Sequence, residues 1–249
     1  QAALLPVSIR VRYPHTAVET VSLADRKHLL RLLWALFGDG RELQRMSPPA
    51  APSRAAVSVK GRNPAEGLVR ELTEAYGMSG NEQAVAEAVK KRLPSWARSQ
   101  TDEMGNLWVT FGSDKGPHWV FVAHLDEIGY RIRQILPDGS ATVQKIGGFY
   151  DEIYEARPVV VILRDGRRVQ GVVRPREQYW RDEQASADFT VDDVRVEFGT
   201  HSAAETQSLG AESGSVVTFT KRYRPLLSMR ANARSLDDRA GCAAMVLAL

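Results

Sequence analysis

Apolar and polar residues alternate with a period of two along Val7-Ser8-Ile9-Arg10-Val11-Arg12-Tyr13, which predicts a strand stopped by Pro14. From Asp25 to Phe37 the period lengthens, and Leu29, Leu30, Leu32, Leu33, Leu36 and Phe37 form a helical stripe. Residues 38–62 carry no periodicity and hold Pro48, Pro49 and Pro52, which predicts a linker, semi-extended in its Pro-rich middle. Asn63-Pro64 then opens a helix with Leu68, Val69 and Leu72 on its inner face. Gly77-Met78-Ser79-Gly80 breaks it, and a second helix runs from Asn81 through Arg92 with Val85, Ala88 and Val89 on one face. Two strands follow, Leu107–Phe111 and Trp119–Ala123, expected to pair in one sheet. The second is a continuous apolar run, the pattern of a strand covered on both faces in an α/β sheet.

After His124-Leu125-Asp126-Glu127 the texture changes. From Ile128 to Arg230 short alternating segments are separated by Pro137-Asp138-Gly139, Gly147-Gly148, Arg164-Asp165-Gly166 and Gly210. Strand–turn–strand spacing of this kind predicts a small β-barrel or sandwich, with no long helix between Ala141 and Val196. Asn232 to Leu249 returns to a loop that opens an apolar helix. The order α/β, all-β, α/β predicts a β domain inserted into an α/β domain: an incomplete catalytic domain at 63–128 and 231–249, and the insertion at 129–230. The chain begins without Met and stops inside the apolar helical pattern at Leu249, with no Gly, Pro or basic last turn, so it reads as a fragment truncated at both ends.

Composition narrows the classes without choosing among them. With 249 residues, 43% hydrophobic and 25% charged, the chain has the balance of a globular protein. At about 150 residues per domain it is one large or two small domains. Cys242 is the single cysteine, which excludes an internal disulfide framework and a Cys-only zinc cage. A metal site must therefore use His, Asp and Glu. No apolar run reaches the length of a transmembrane helix. The 33 basic and 30 acidic residues are well mixed, a solvated surface that points to neither nucleic acid nor membrane.

Chemistry concentrates in three places. His124-Leu125-Asp126-Glu127 lies at the carboxyl end of the apolar strand, the edge where reacting groups gather in open α/β sheets. His124 and Asp126 point to one face, and a carboxylate beside a His fixes the tautomer of a metal-binding imidazole. Leu236-Asp237-Asp238-Arg239 precedes the last helix, where the acids suit either helix capping or a carboxylate shared by two metals. His15 follows a strand and a Pro turn, an ordinary loop residue or a ligand brought in from another sheet edge.

Taken in order, six motifs resemble the glutamyl and tetrahedral aminopeptidases, peptidase family M42, some of them called endoglucanases. They are Gly77-Met78-Ser79-Gly80-Asn81-Glu82, Asp102-Glu103-Met104-Gly105-Asn106-Leu107, His124-Leu125-Asp126-Glu127-Ile128-Gly129, Val169-Gln170-Gly171-Val172-Val173, Leu209-Gly210-Ala211-Glu212-Ser213-Gly214-Ser215 and Leu236-Asp237-Asp238-Arg239-Ala240-Gly241. The resemblance covers about Asn63 to Leu249. It implies a zinc-peptidase-like mixed sheet flanked by helices, with an inserted small β-barrel. It also implies an aminopeptidase with two divalent metal ions, zinc or cobalt. His124 would bind one metal, Asp126 would orient His124 as a catalytic residue, Asp237 would bridge both metals, and Asp238 would follow across a cis peptide. The Glu pair that supplies base and ligand in the family has no counterpart here, so the fragment alone would be inactive.

Residues 1–37 resemble the closing part of the same family, with Arg12-Tyr13-Pro14-His15 carrying the last metal-binding His. They read as the tail of a preceding copy or of a permuted single copy, or as an artefactual join. In the permuted case Val7–Tyr13 would share a sheet with Trp119–Ala123 and bring His15 to Asp237. The implied partners are peptide substrates and further copies of the chain, joined through the inserted β domain, in a cytoplasmic enzyme. The alternatives are another co-catalytic metallopeptidase, acting on acylated amino acids or dipeptides, and a catalytically incomplete assembly or binding module.

Overall fold

The computed structural model describes residues 3–6, 11–12, 20–22, 64–112, 115, 119–176, 189–227 and 229–249. The expected helix at Asp25–Phe37, the linker at 38–62 and His15 lie outside them. The chain forms two compact units, one containing residues 127–220 and the other the flanking segments. Among the described residues no helix is long and apolar enough to cross a membrane.

In the flanking unit the helices follow the 3.6-residue period. Helix α1 (Pro64–Glu74) starts at the proline that pre-sets its first turn. It buries Leu68, Val69 and Leu72 to 4% exposure or less. Helix α2 (Gln83–Lys90) is shorter than the pattern suggested and buries Val85, Ala86 and Val89. Both pack against the apolar face of helix α4 (Leu236–Ala248), in a core that includes Leu236, Ala240, Cys242, Ala243, Ala244 and Val246. The helical turns of α4 begin after Asp237 and Asp238, whose backbones are not helical, and the peptide bond between these two is cis.

The strands of this unit depart from expectation. Strand β4 (Ser99–Thr101) pairs with β5 (Leu107–Val109), so Leu107–Val109 does not join Trp119–Ala123. Local chemistry decides this pairing. Asp102 accepts from the Asn106 backbone and side chain at 2.8 Å each, and Gly105 takes the positive φ that closes the turn. Strand β6 (Trp119–Val122) has β1 (Ala3–Pro6) as its parallel partner. Trp119, Val120 and Val122 are 55%, 40% and 47% exposed, against the expectation of a strand covered on both faces. An apolar run records what a strand can bury, not what is there to cover it.

Of the stretch Val7–Tyr13, expected beside Trp119, only Val11–Arg12 is described. Ala3–Pro6 takes the place beside Trp119, and β2 (Val11–Arg12) pairs with β3 (Thr20–Ser22). The unbroken apolar run of β1 suits a parallel neighbour, whereas the alternation around Val11 suits an antiparallel sheet.

The second unit is a closed six-stranded barrel. Its strands are β7 (Gly129–Ile135), β8 (Ala141–Ile146), β9 (Pro158–Ile162), β10 (Arg168–Val173), β11 (Val196–Glu197) and β12 (Val216–Phe219). They close in the order β10-β11-β8-β7-β12-β9. Alternation sends Tyr130, Ile132, Val143, Val159, Val161 and Val217 inward, where Tyr154 stacks on Phe219 at 3.9 Å. The Pro137-Asp138-Gly139-Ser140 turn joins β7 to β8. Gly139 has φ +86 there, and a side chain at 139 would meet Thr200 Oγ1 at 2.7 Å.

A short helix, α3 (Ala203–Ser208), is the longest helix among the described residues of this unit. The unit ends at Thr220, before the expected Arg230. The next strand, β13 (Arg224–Leu226), pairs with β14 (Arg230–Asn232), and β14 pairs with β3, in the four-stranded sheet β13-β14-β3-β2 of the other unit. Alternation predicts a strand without saying which sheet it joins.

Candidate functional site

Strand β6 delivers His124 and Asp126 just beyond its carboxyl end, and the non-helical entry to α4 delivers Asp237. His124 Nδ1 lies 3.1 Å from Asp126 Oδ1, and Nε2 lies 3.2 Å from Asp237 Oδ1. The imidazole is thus held between two carboxylates, all three side chains being 30–50% exposed. The backbone at His124 is fixed as well, since the buried Cys242 thiol donates to the His124 carbonyl at 3.3 Å. Burial among apolar residues pushes that thiol up to about 12, so it stays protonated.

The electrostatics follow from this geometry. The hydrogen bond to Asp126, then that to Asp237, raises the His124 imidazole to about 10. The same hydrogen bond to His124 lowers Asp126 to about 2. Asp238 is turned away from water, and burial raises its carboxyl to about 7. Its Oδ1 accepts from the Gly241 backbone at 3.0 Å, and a side chain at 241 would collide with the carboxylate. Two adjacent acids therefore have different tasks: Asp237 faces His124, and Asp238 closes the first turn of the helix.

The structure brings His124, Asp126 and Asp237 together. Among the described residues no group of three His, Cys, Asp or Glu side chains is placed to hold one ion, so the chain presents two facing donors. Their spacing suits a divalent cation. Two bonds of about 2.1 Å at a tetrahedral angle span about 3.4 Å, close to the 3.2 Å between Nε2 and Oδ1. Nδ1 is held by Asp126, so Nε2, the nitrogen facing Asp237, is the one that could bind an ion.

Two residues within the motifs that carry the resemblance, Ser79 and Arg239, were given no role there, and the structure gives each one. Ser79, in the loop between α1 and α2, donates its hydroxyl to Asp126 Oδ2. Arg239 is fully buried, and its guanidinium donates to the carbonyls of Leu72 at 2.7 Å, Ala75 at 3.2 Å and Gly77 at 3.4 Å. The available signal for Arg239 was its position, a charged residue on a helix that is otherwise apolar down to Leu249.

A model of the family described as M42 glutamyl aminopeptidase matches residues 105–249. The lysyl aminopeptidase of Pyrococcus furiosus is 28% identical over 184 residues, which covers 72% of this chain and 52% of that protein. Among solved structures, an aminopeptidase from the archaeon Desulfurococcus kamchatkensis aligns with a TM-score of 0.68 at 27% identity, covering 74% of this chain and 51% of that one. The TET1 peptidase of Pyrococcus horikoshii, which can assemble into a tetrahedron or a large octahedral shell, aligns with a TM-score of 0.67 at 27% identity, covering 74% and 55%. The chain spans about half the length of the curated relatives it matches.

Proposed function

Because the chain belongs to the M42 glutamyl aminopeptidase family, we propose that it carries part of a metal-dependent aminopeptidase that removes N-terminal residues from peptides at a two-metal site. The observation that carries this reading is the 3.2 Å approach of His124 Nε2 to Asp237 Oδ1, with Nδ1 held by Asp126. His124 and Asp237 would hold the ions, zinc or cobalt, and His15 would contribute a further donor. Bound divalent ions would polarise the scissile carbonyl and supply hydroxide at neutral pH. Asp126 keeps the imidazole in the Nδ1–H form and directs Nε2 to the site. Asp237, with Oδ1 toward His124, would be the carboxylate shared by both ions. Asp238, buried and hydrogen-bonded to the Gly241 backbone, fixes the approach of that carboxylate.

The same reading makes residues 63–128 and 231–249 the catalytic portion and the barrel an insertion through which copies of the chain associate. That the Pyrococcus horikoshii relative can assemble into shells supports association of copies. The experiment is chelation of the complete protein. Hydrolysis of an aminoacyl p-nitroanilide should vanish after treatment with a strong chelator and return with zinc or cobalt. Undiminished activity after chelation and dialysis would refute the proposal.

A further inference from the structure

Ser79 belongs to none of the roles above, yet it closes a ring of contacts around the candidate site. Asp237 and Arg239 stand two residues apart at the start of α4. Arg239 reaches back to the carbonyls that end α1, including that of Gly77. Gly77 lies against Arg239 and α2 so closely that a side chain there would meet Val85 Cγ2 at 2.5 Å and Arg239 Nη2 at 3.0 Å. Two residues on, Ser79 donates to Asp126 Oδ2. Asp126 Oδ1 meets His124 Nδ1, and His124 Nε2 meets Asp237 Oδ1, where the ring began.

The loop that presents Ser79 is fixed independently of the site. Met78 is buried at 1% exposure, the Asn81 N–H donates to the Met78 carbonyl at 2.7 Å, and the Gly80 N–H donates to Glu82 Oε1 at 2.7 Å. The hydroxyl is therefore carried on a rigid support. Asp126, by contrast, is 40% exposed and follows a strand end. Its carboxylate can turn toward water unless its second oxygen is held.

We propose that Ser79 is a positioning residue for metal capture: by holding Asp126 Oδ2 it keeps Oδ1 on His124 Nδ1, and so keeps His124 Nε2 directed at Asp237. The proposal rests on the reading of His124 and Asp237 as metal donors. Groups that orient a metal-binding His typically change affinity by about 10–100-fold. Ser79 acts one bond further away, so the expected effect is near the lower end, about 10-fold.

The test is a cobalt titration of the complete protein, by competition with a chromophoric chelator, for the parent, Ser79→Ala, Ser79→Thr, Asp126→Ala and the double variant Ser79→Ala/Asp126→Ala. Thermal melts establish that each variant is folded. Ser79→Ala should weaken cobalt binding by about 10-fold, and Ser79→Thr, which keeps the hydroxyl, should restore it. Ser79→Ala should add nothing in the Asp126→Ala background, because the two residues act in series. Parent-like affinity in Ser79→Ala overturns the inference and leaves the metal reading intact. An equal loss in both backgrounds also overturns it, because the serine then acts by a route other than Asp126. A parent chain that binds no cobalt overturns the metal reading, and the inference with it, before any variant is compared.

Discussion

At the scale of single residues, the site depends on one buried cation. Arg239 has no exposed surface and three carbonyl partners, so replacing it with Met, of similar reach but without donors, deprives Leu72, Ala75 and Gly77 together. An orphaned buried acceptor costs about 1–3 kcal/mol. Arg239→Met is therefore expected to lose at least about 3 kcal/mol, read from chemical unfolding. Gly77→Ala is expected to cost about 1–3 kcal/mol through overpacking against Val85. That His124, Asp126 and Asp237 would come together was legible through the ordered motifs of the resemblance, since each taken alone suits an ordinary strand end or helix cap. The contacts of Ser79 and Arg239 were not, because a serine in a Gly-rich loop reads as turn chemistry and an arginine after two aspartates reads as a solvated charge. Their roles exist only through contacts that bring residue 79 to 126 and residue 239 to 77.

At the scale of elements, legibility follows whether the determinant is local. The inner faces of α1 and α2 were readable from periodicity, and the barrel from alternation punctuated by turns. The partners of β5 and β6 were not, because pairing depends on which strand is available. One local device in the barrel unit yields a pH prediction. Arg176 donates to Glu155 Oε1 from Nε at 2.8 Å and to Oε2 from Nη2 at 2.7 Å, while its backbone N–H adds a third bond at 2.9 Å. The guanidinium hydrogen bonds hold the Glu155 carboxyl below its usual 4.5. A carboxyl depressed in the folded state binds a proton more readily when unfolded, so its stabilisation is present above about pH 4.5 and is lost as pH falls through the folded value. Glu155→Gln should therefore melt below the parent at pH 7, by about 1.5–3 kcal/mol for lost charge-assisted bonds. The gap should narrow as melts are repeated below pH 4.5, and a gap unchanged down to pH 2 would show that Glu155 acts through packing alone.

At the scale of the whole molecule, the barrel and the flanking unit have separate cores, and among the described residues no strand of the barrel pairs outside it. Residues 127–220 expressed alone are therefore expected to fold, with a cooperative melt and a β-rich circular dichroism spectrum. A featureless spectrum would show that the barrel needs its host. A sharper question is which site His15 serves. Strand β1 pairs with β6, whose continuation carries His124, and β3 pairs with β14, whose continuation carries Asp237. The N-terminal strands are thus bound to both strands that lead to the facing donors. Residue 15 lies three positions beyond Arg12, which pairs with Thr20, and Thr20 in turn pairs with Asn232. These pairings of the described strands are what motivate testing His15 at this site. His15→Ala is accordingly expected to lower cobalt affinity by more than the about 10–100-fold of an orienting residue, or to remove one bound ion of two, with the melt of the metal-free chain unchanged. Parent-like affinity and stoichiometry would instead assign His15 to a different copy and make the N-terminal segment the tail of a tandem arrangement.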